Sequence, residues 1–176
     1  MSDFAARPFL KRLDDGVVRV NRWALILLVA VMAVLVIVNV ISRYAFGHSF
    51  SWVEEATRYM MIWAAFLGAG PALRVGGHIA IESLARSLPS GAARLLRAAI
   101  VLVMAVTLLV LIWLGVDYVD FAWYQESPVL GWSLGQVYLA LPVGLTLTLA
   151  HLVAVAPRWI GEGAFEKVAG FDPQAL

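Results

Sequence analysis

Four stretches of the chain run apolar and uncharged for long distances: Trp23 to Ile41, Tyr59 to Leu73, Ala98 to Val116 and Val137 to Ala156. The first and third hold 19 residues each. At ~1.5 Å per residue a helix of that length covers roughly 28 Å, close to the ~30 Å hydrocarbon core of a bilayer. Both runs predict transmembrane helices. The second holds only 15 residues between Arg58 and Arg74, so a full crossing must recruit Glu54, Glu55 and Arg58 on its N-terminal side. Pro142 falls near the start of the fourth run, where a missing amide costs little. The pattern predicts an all-α membrane protein, one domain over residues 1–176, with four spans at about 23–41, 54–73, 98–116 and 137–156.

Two segments outside these runs repeat at helical spacing. Ile81, Leu84, Ala85 and Leu88 fall at i, i+3, i+4 and i+7, with Glu82, Ser83, Arg86 and Ser87 opposite and Pro89 as a stop. They predict an amphipathic helix over about 79–88 that lies along the membrane interface. Leu10, Leu13 and Val17, set against Lys11, Arg12, Asp14 and Asp15, fit either a short surface helix before the first span or a solvated segment. Trp23, Trp52, Trp113, Trp123, Trp132 and Trp159 sit at or near span ends, the usual place of interfacial anchors.

Charge gives the orientation. The N-terminal segment carries Arg7, Lys11, Arg12, Arg19 and Arg22, the segment after the second run carries Arg74, Arg86, Arg94 and Arg97, and the tail carries Arg158 and Lys167. The opposite side has Arg43 and Arg58, and Asp117 to Gly131 contains acids but no basic residue. By the positive-inside rule both termini are cytoplasmic. The first run exceeds the ~7–15 residues of a signal-peptide core, and no small-x-small cleavage site follows it, so it is expected to be retained. Composition agrees with a lipid solvent: 62% of residues are hydrophobic and 14% charged, against ~25% charged in soluble domains. The absence of cysteine removes disulfide, thiol and iron–sulfur chemistry. A net charge of +1 gives no footprint for nucleic acid.

The densest polar chemistry runs from Phe50 to Tyr59. Ser51 followed three residues later by Glu54 reads as a capping box. Glu54 and Glu55 stand at i, i+4 and i, i+3 from Arg58, so one guanidinium can meet either carboxylate. The cluster fits equally a partner contact, a proton or ion path, or a self-paired helix start. Ala64 with Gly68 and Ala65 with Ala69 place small residues four apart, a face for close helix packing. Elsewhere in the spans the polar residues are Asn39, Thr107, Thr146, Thr148 and His151, too few to bind and move an anion with a coupling cation. His78 and His151, both toward the cytoplasmic side, raise a bis-imidazole haem as the alternative from another class.

These residues also resemble a known family. Asn39-Val40-Ile41-Ser42-Arg43-Tyr44-Ala45-Phe46-Gly47, Ser51-Trp52-Val53-Glu54-Glu55 with Arg58-Tyr59, Trp63, Phe66-Leu67-Gly68-Ala69 and Arg74-Val75-Gly76-Gly77-His78-Ile79 are similar to the signature of the small, DctQ-type membrane subunit of tripartite ATP-independent periplasmic (TRAP) transporters. The likeness is dense from about residue 39 to 88 and elsewhere is only a shared four-helix hydrophobicity. It implies a bacterial inner-membrane subunit that requires no cofactor, is not an enzyme, and works beside a large membrane subunit and a periplasmic substrate-binding protein. In that family the large subunit carries the substrate and sodium sites. The binding protein delivers an organic acid. The small subunit pads the static scaffold against which the transport domain moves. Arg43, Trp52, Glu54, Glu55, Arg58, Trp63, Arg74, Gly77 and His78 match the pattern, and the family's substrate residues lie on another chain. Some relatives fuse both subunits, and the polar tail ending at Leu176 suits the separate form.

Overall fold

The computed structural model describes residues 8–75 and 87–163. They form five helices: α1 (Pro8–Phe46), α2 (Ser51–Arg74), α3 (Ser90–Ala122), α4 (Leu134–Tyr138) and α5 (Ala140–Glu162). Among the described residues the extended structure is a lone antiparallel bridge between Glu126 and Ser133. Three segments are long and apolar enough to cross a membrane: Arg12–Phe46, Ser90–Ala122 and Leu134–Glu162. The interfacial helix expected over 79–88 lies largely outside the described residues, as do Gly77 and His78.

The expected boundaries change at both ends of the chain. The N-terminal amphipathic piece is not a separate surface helix. It continues into the first run as one helix of 39 residues, about 58 Å long and well beyond a bilayer's thickness. Between Leu10 and Trp23 the weakest helix former is Gly16, and one glycine costs about 1 kcal/mol, too little to break a helix this long. The fourth run is divided. Ser133 caps the short α4, its hydroxyl accepting from the Gly135 amide, and Leu139 separates it from α5. Pro142 falls in the first turn of α5, where no intrahelical amide bond is lost. Pro157 also lies inside α5, which runs on to Glu162 and is closed by Gly163 at φ 68°, a left-handed residue whose amide bonds back to Trp159 O.

The long helices stand in an open row in the order α1, α2, α5, α3, not in a closed bundle. The central pair approaches closely because glycines allow it. A Cβ on Gly144 would lie 2.7 Å from Phe66 O, and one on Gly70 would lie 2.2 Å from His151 Cδ2. The small-residue face expected around Gly68 is looser, since a Cβ there would meet Leu25 of α1 only at 4.0 Å. At the far end of the row Val155 and Trp159 of α5 pack on Ile100, Val101 and Met104 of α3. Tyr118 of α3 meets Tyr138 of α4 edge-on, with ring centroids 4.9 Å apart. Half of the apolar window ending in α5 is buried, against 6% of that in α1. The outer helices therefore present most of their apolar surface to whatever surrounds the chain.

Candidate functional site

Polar residues gather at the two ends of the helices. The first cluster sits where α1 turns into α2. Buried Asn39 on α1 accepts a hydrogen bond at Oδ1 from the Phe50 amide, at 2.7 Å. Phe50 precedes the first residue of α2, so Asn39 does from the neighbouring helix what the acid of a capping box does from within. The expected Ser51/Glu54 box is absent, for no side chain caps this helix start locally. Glu54 instead reaches across to Arg43, with Nη2 to Oε1 at 2.6 Å. Both side chains are about half exposed (50% and 56%), and such a pair contributes ~0–1 kcal/mol.

Glu55 is buried and has a different task. Tyr59 donates its hydroxyl to Oε1, while the amides of Val129 and Leu130 donate to Oε2 at 2.9 and 3.0 Å. One carboxylate on α2 thus holds the loop between α3 and α4. That loop is folded by its own bonds. Ser127 N donates to Trp132 O at 2.8 Å, Leu134 N to Gln125 O at 2.8 Å, and Gly131 takes φ 67° at the turn. Arg58, expected to pair with either acid, pairs with neither: Arg43 engages Glu54, and the loop amides and Tyr59 occupy Glu55. Trp52 is exposed and leans on Phe50, ring centroids 6.4 Å apart, and Trp63 is half-buried deeper in α2.

The second cluster joins α1, α2 and α5 at the other end. Arg74 is buried and grips Asp14 with both terminal nitrogens, Nη1 to Oδ2 at 3.0 Å and Nη2 to Oδ1. Its Nε donates to His151 Nδ1 at 2.7 Å. Guanidinium is only a donor, so Nδ1 is the accepting nitrogen and His151 carries its proton on Nε2. His151 is wholly buried, and its Nε2 lies 3.5 Å from Asn21 Nδ2, which donates to Leu67 O at 3.0 Å. Arg74, the last residue of α2, is enclosed at this end of the helices, while its partner Asp14 stays partly exposed. The haem alternative loses its support at His151, because Arg74 already occupies one ring nitrogen and Asn21 abuts the other.

Asp14 and Asn21 are the residues that sequence reasoning missed. A signal was present: seven residues apart on one helix, they share a face, and Asn21 is a polar residue at the edge of an apolar run. The motif around residues 39 to 88 could not reveal them.

Comparison with known proteins places the chain. Residues 32–160 match the family described as tripartite ATP-independent periplasmic transporters, DctQ component. The matched region includes the first cluster, Arg74 and His151, and leaves out Asp14 and Asn21. The chain is 31% identical over 142 residues to the ectoine TRAP transporter small permease protein TeaB of Halomonas elongata, spanning 79% of this chain and 73% of that protein. It is also 31% identical over 133 residues to a Haemophilus influenzae protein described as a TRAP transporter small permease, spanning 72% and 78%. A third relative, uncharacterized protein y4mM of Sinorhizobium fredii, is 33% identical over 121 residues, 22% of its length.

Proposed function

The chain belongs to the DctQ component family of tripartite ATP-independent periplasmic transporters, and from that premise we propose that it is the passive brace of a sodium-coupled uptake system for an organic acid. It is a small permease component and a multi-pass protein of the bacterial inner membrane. In this reading α2 is the fourth span. Its 24 residues reach about 36 Å, and it is flanked on both sides by helices that can cross. Both termini are cytoplasmic, the loop held by Glu55 faces the periplasm, and the Asp14–Arg74–His151 cluster lies at the cytoplasmic end.

The observation that carries the proposal is how the buried polar groups are used. Glu55 binds a loop, Arg74 binds Asp14 and His151, and Asn39 binds a turn. Each of these bonds fixes one element against another, as a scaffold requires, and Glu55 and Arg74 are already engaged within the chain. Solute and cation sites are assigned instead to the large membrane subunit, with a periplasmic substrate-binding protein delivering the solute. The Glu55-held loop, with exposed Trp132 and Val129, is the rim on which that protein docks. One relative is named for ectoine, so ectoine joins organic acids in the first panel of solutes.

The test is sodium-driven uptake into vesicles, with the binding protein added. Vesicles holding this chain and the large subunit accumulate solute, and vesicles holding either chain alone do not. Accumulation by this chain alone would overturn the assignment.

A further inference from the structure

The groove between α1 and α2 lies near the first polar cluster. Met32, Val36 and Ile37 of α1 face Thr57, Arg58 and Met61 of α2 across an open space of about 580 Å³. Apart from Arg58, Thr57 and Glu54 its walls are aliphatic. Among the described residues Arg58 is exposed and forms no hydrogen bond or ion pair. The charges around the mouth, Arg43, Glu54 and Arg58, sum to one positive unit. A cation next to hydrocarbon is costly unless an anion meets it.

Direction and size say what that anion belongs to. Side chains on a helix lean toward its N-terminus, so the Arg58 guanidinium leans toward the Ser51 end of α2 and the membrane interface. Met61 lies one turn deeper, beside the aliphatic residues of α1. One turn of α-helix, ~10–12 Å across, occupies roughly 400–600 Å³, so the groove holds about one turn and is too short to seat a partner helix along its length. An acyl chain is thin and flexible enough to follow it, and methionine adapts to such a ligand.

We propose that this groove binds one glycerophospholipid, with its phosphodiester paired to the Arg58 guanidinium and one acyl chain lying between Met32, Val36, Ile37 and Met61. Guanidinium meets phosphate through two parallel hydrogen bonds, a geometry that lysine does not reproduce. The bound lipid fills the seam between the least buried helix and the rest of the row, and so extends the plate that the polar clusters hold together.

The experiment uses the complex copurified with its large subunit and placed in phosphatidylcholine nanodiscs. These contain a trace of phosphatidylglycerol bearing a photoactivatable diazirine in its acyl chain, and the adducts are mapped by mass spectrometry. Adducts are expected on the Met32–Ile37 segment and on Met61. Arg58→Gln lowers them at least fivefold, Arg58→Lys lowers them less, and labelling of exposed Leu109 on α3 stays unchanged. Ile37→Trp, which fills the groove and keeps the cation, also lowers them. Diacylglycerol with the same diazirine chain and no phosphate labels the groove no better than phosphatidylglycerol labels the Arg58→Gln variant. Equal labelling of wild type and Arg58→Gln, equal labelling by diacylglycerol, or a groove unlabelled because a neighbouring protein covers Arg58 would each overturn the proposal.

Discussion

The Asp14–Arg74 pair fixes the N-terminal part of α1 to the rest of the row, and its removal gives a calculable loss. Asp14→Ala takes the Asp14 carboxylate away from the Arg74 guanidinium, which is 5% exposed, while Asp14 itself is 28% exposed. Breaking a fully buried ion pair costs about 3–5 kcal/mol. With one partner more than a quarter in contact with solvent, the figure falls to about 2–3 kcal/mol. The chain contains no cysteine, so a single Leu73→Cys substitution, next to Arg74 and 1% exposed, supplies a clean reporter. Its alkylation by a water-soluble maleimide follows the population in which the latch is open. Asp14→Ala in that background should speed alkylation by about 30- to 160-fold, the ratio that 2–3 kcal/mol represents. Adding Arg74→Leu removes the buried cation that has lost the Asp14 carboxylate, and alkylation should slow again by roughly tenfold even though no ion pair has been restored. The residual defect reflects the lost bond to His151. If Asp14→Ala left the rate unchanged, or if the double variant were no slower than the single, the cost would not lie in a buried cation deprived of the Asp14 carboxylate and the reasoning would fail.

Other substitutions test the remaining contacts. Gly70→Ala places a Cβ against the His151 ring and should lower the thermal midpoint of the complex by the equivalent of about 1–3 kcal/mol. Gly68→Ala, with its nearest neighbour at 4.0 Å, should leave that midpoint within error in the same fluorescence-detected melt. Asn39→Ala removes the acceptor of the Phe50 amide and should cost about 0.5–2 kcal/mol, a cap-sized effect, with Asn39→Asp close to wild type. Glu55→Gln weakens the grip on the Val129 and Leu130 amides, so limited proteolysis at this loop should accelerate. Glu54→Gln should change the rate little, because its partner Arg43 is half in solvent.

The sequence revealed what depends on composition and period, and it hid what depends on which helix lies beside which. The apolar runs that became α1, α3 and α5 were visible because a bilayer-facing helix leaves a long uncharged stretch whatever its neighbours are. The end of α1 was misjudged because charges at Lys11, Arg12, Asp14 and Asp15 read as a surface segment, whereas one of them, Asp14, is held by Arg74 from sixty residues further along the chain. Ser51 and Glu54 had the spacing of a capping box. The box lost to two cross-helix bonds, Asn39 to the Phe50 amide and Arg43 to Glu54, and neither can be read from i, i+3 spacing. Glu55 was singled out as polar chemistry, but besides Tyr59 it holds the loop amides of Val129 and Leu130, which carry no residue signature.

The open row gives these cross-links their importance. In a closed bundle each long helix has two neighbours, and the loss of one contact is buffered by the other. Here α1 packs mainly on α2, and α3 on α5 with the short α4, so each outer helix can peel away along one seam. The seam between α1 and α2 is closed at one end by Asn39 and Arg43 and at the other by Asp14 and Asn21. Between them stretch the seventeen residues 22–38 of α1, which meet the row mainly through apolar contact. Hydrocarbon gives no hydrophobic drive between helices, so polar bonds at both ends are what keep that seam in register. It follows that a variant lacking both Asn39 and Asp14 should lose more α1 attachment than the sum of the two single losses, because each end alone still limits how far the helix can swing. Strict additivity in the Leu73→Cys alkylation assay would mean that apolar packing along the seam holds α1 by itself, and that the two polar clusters act independently.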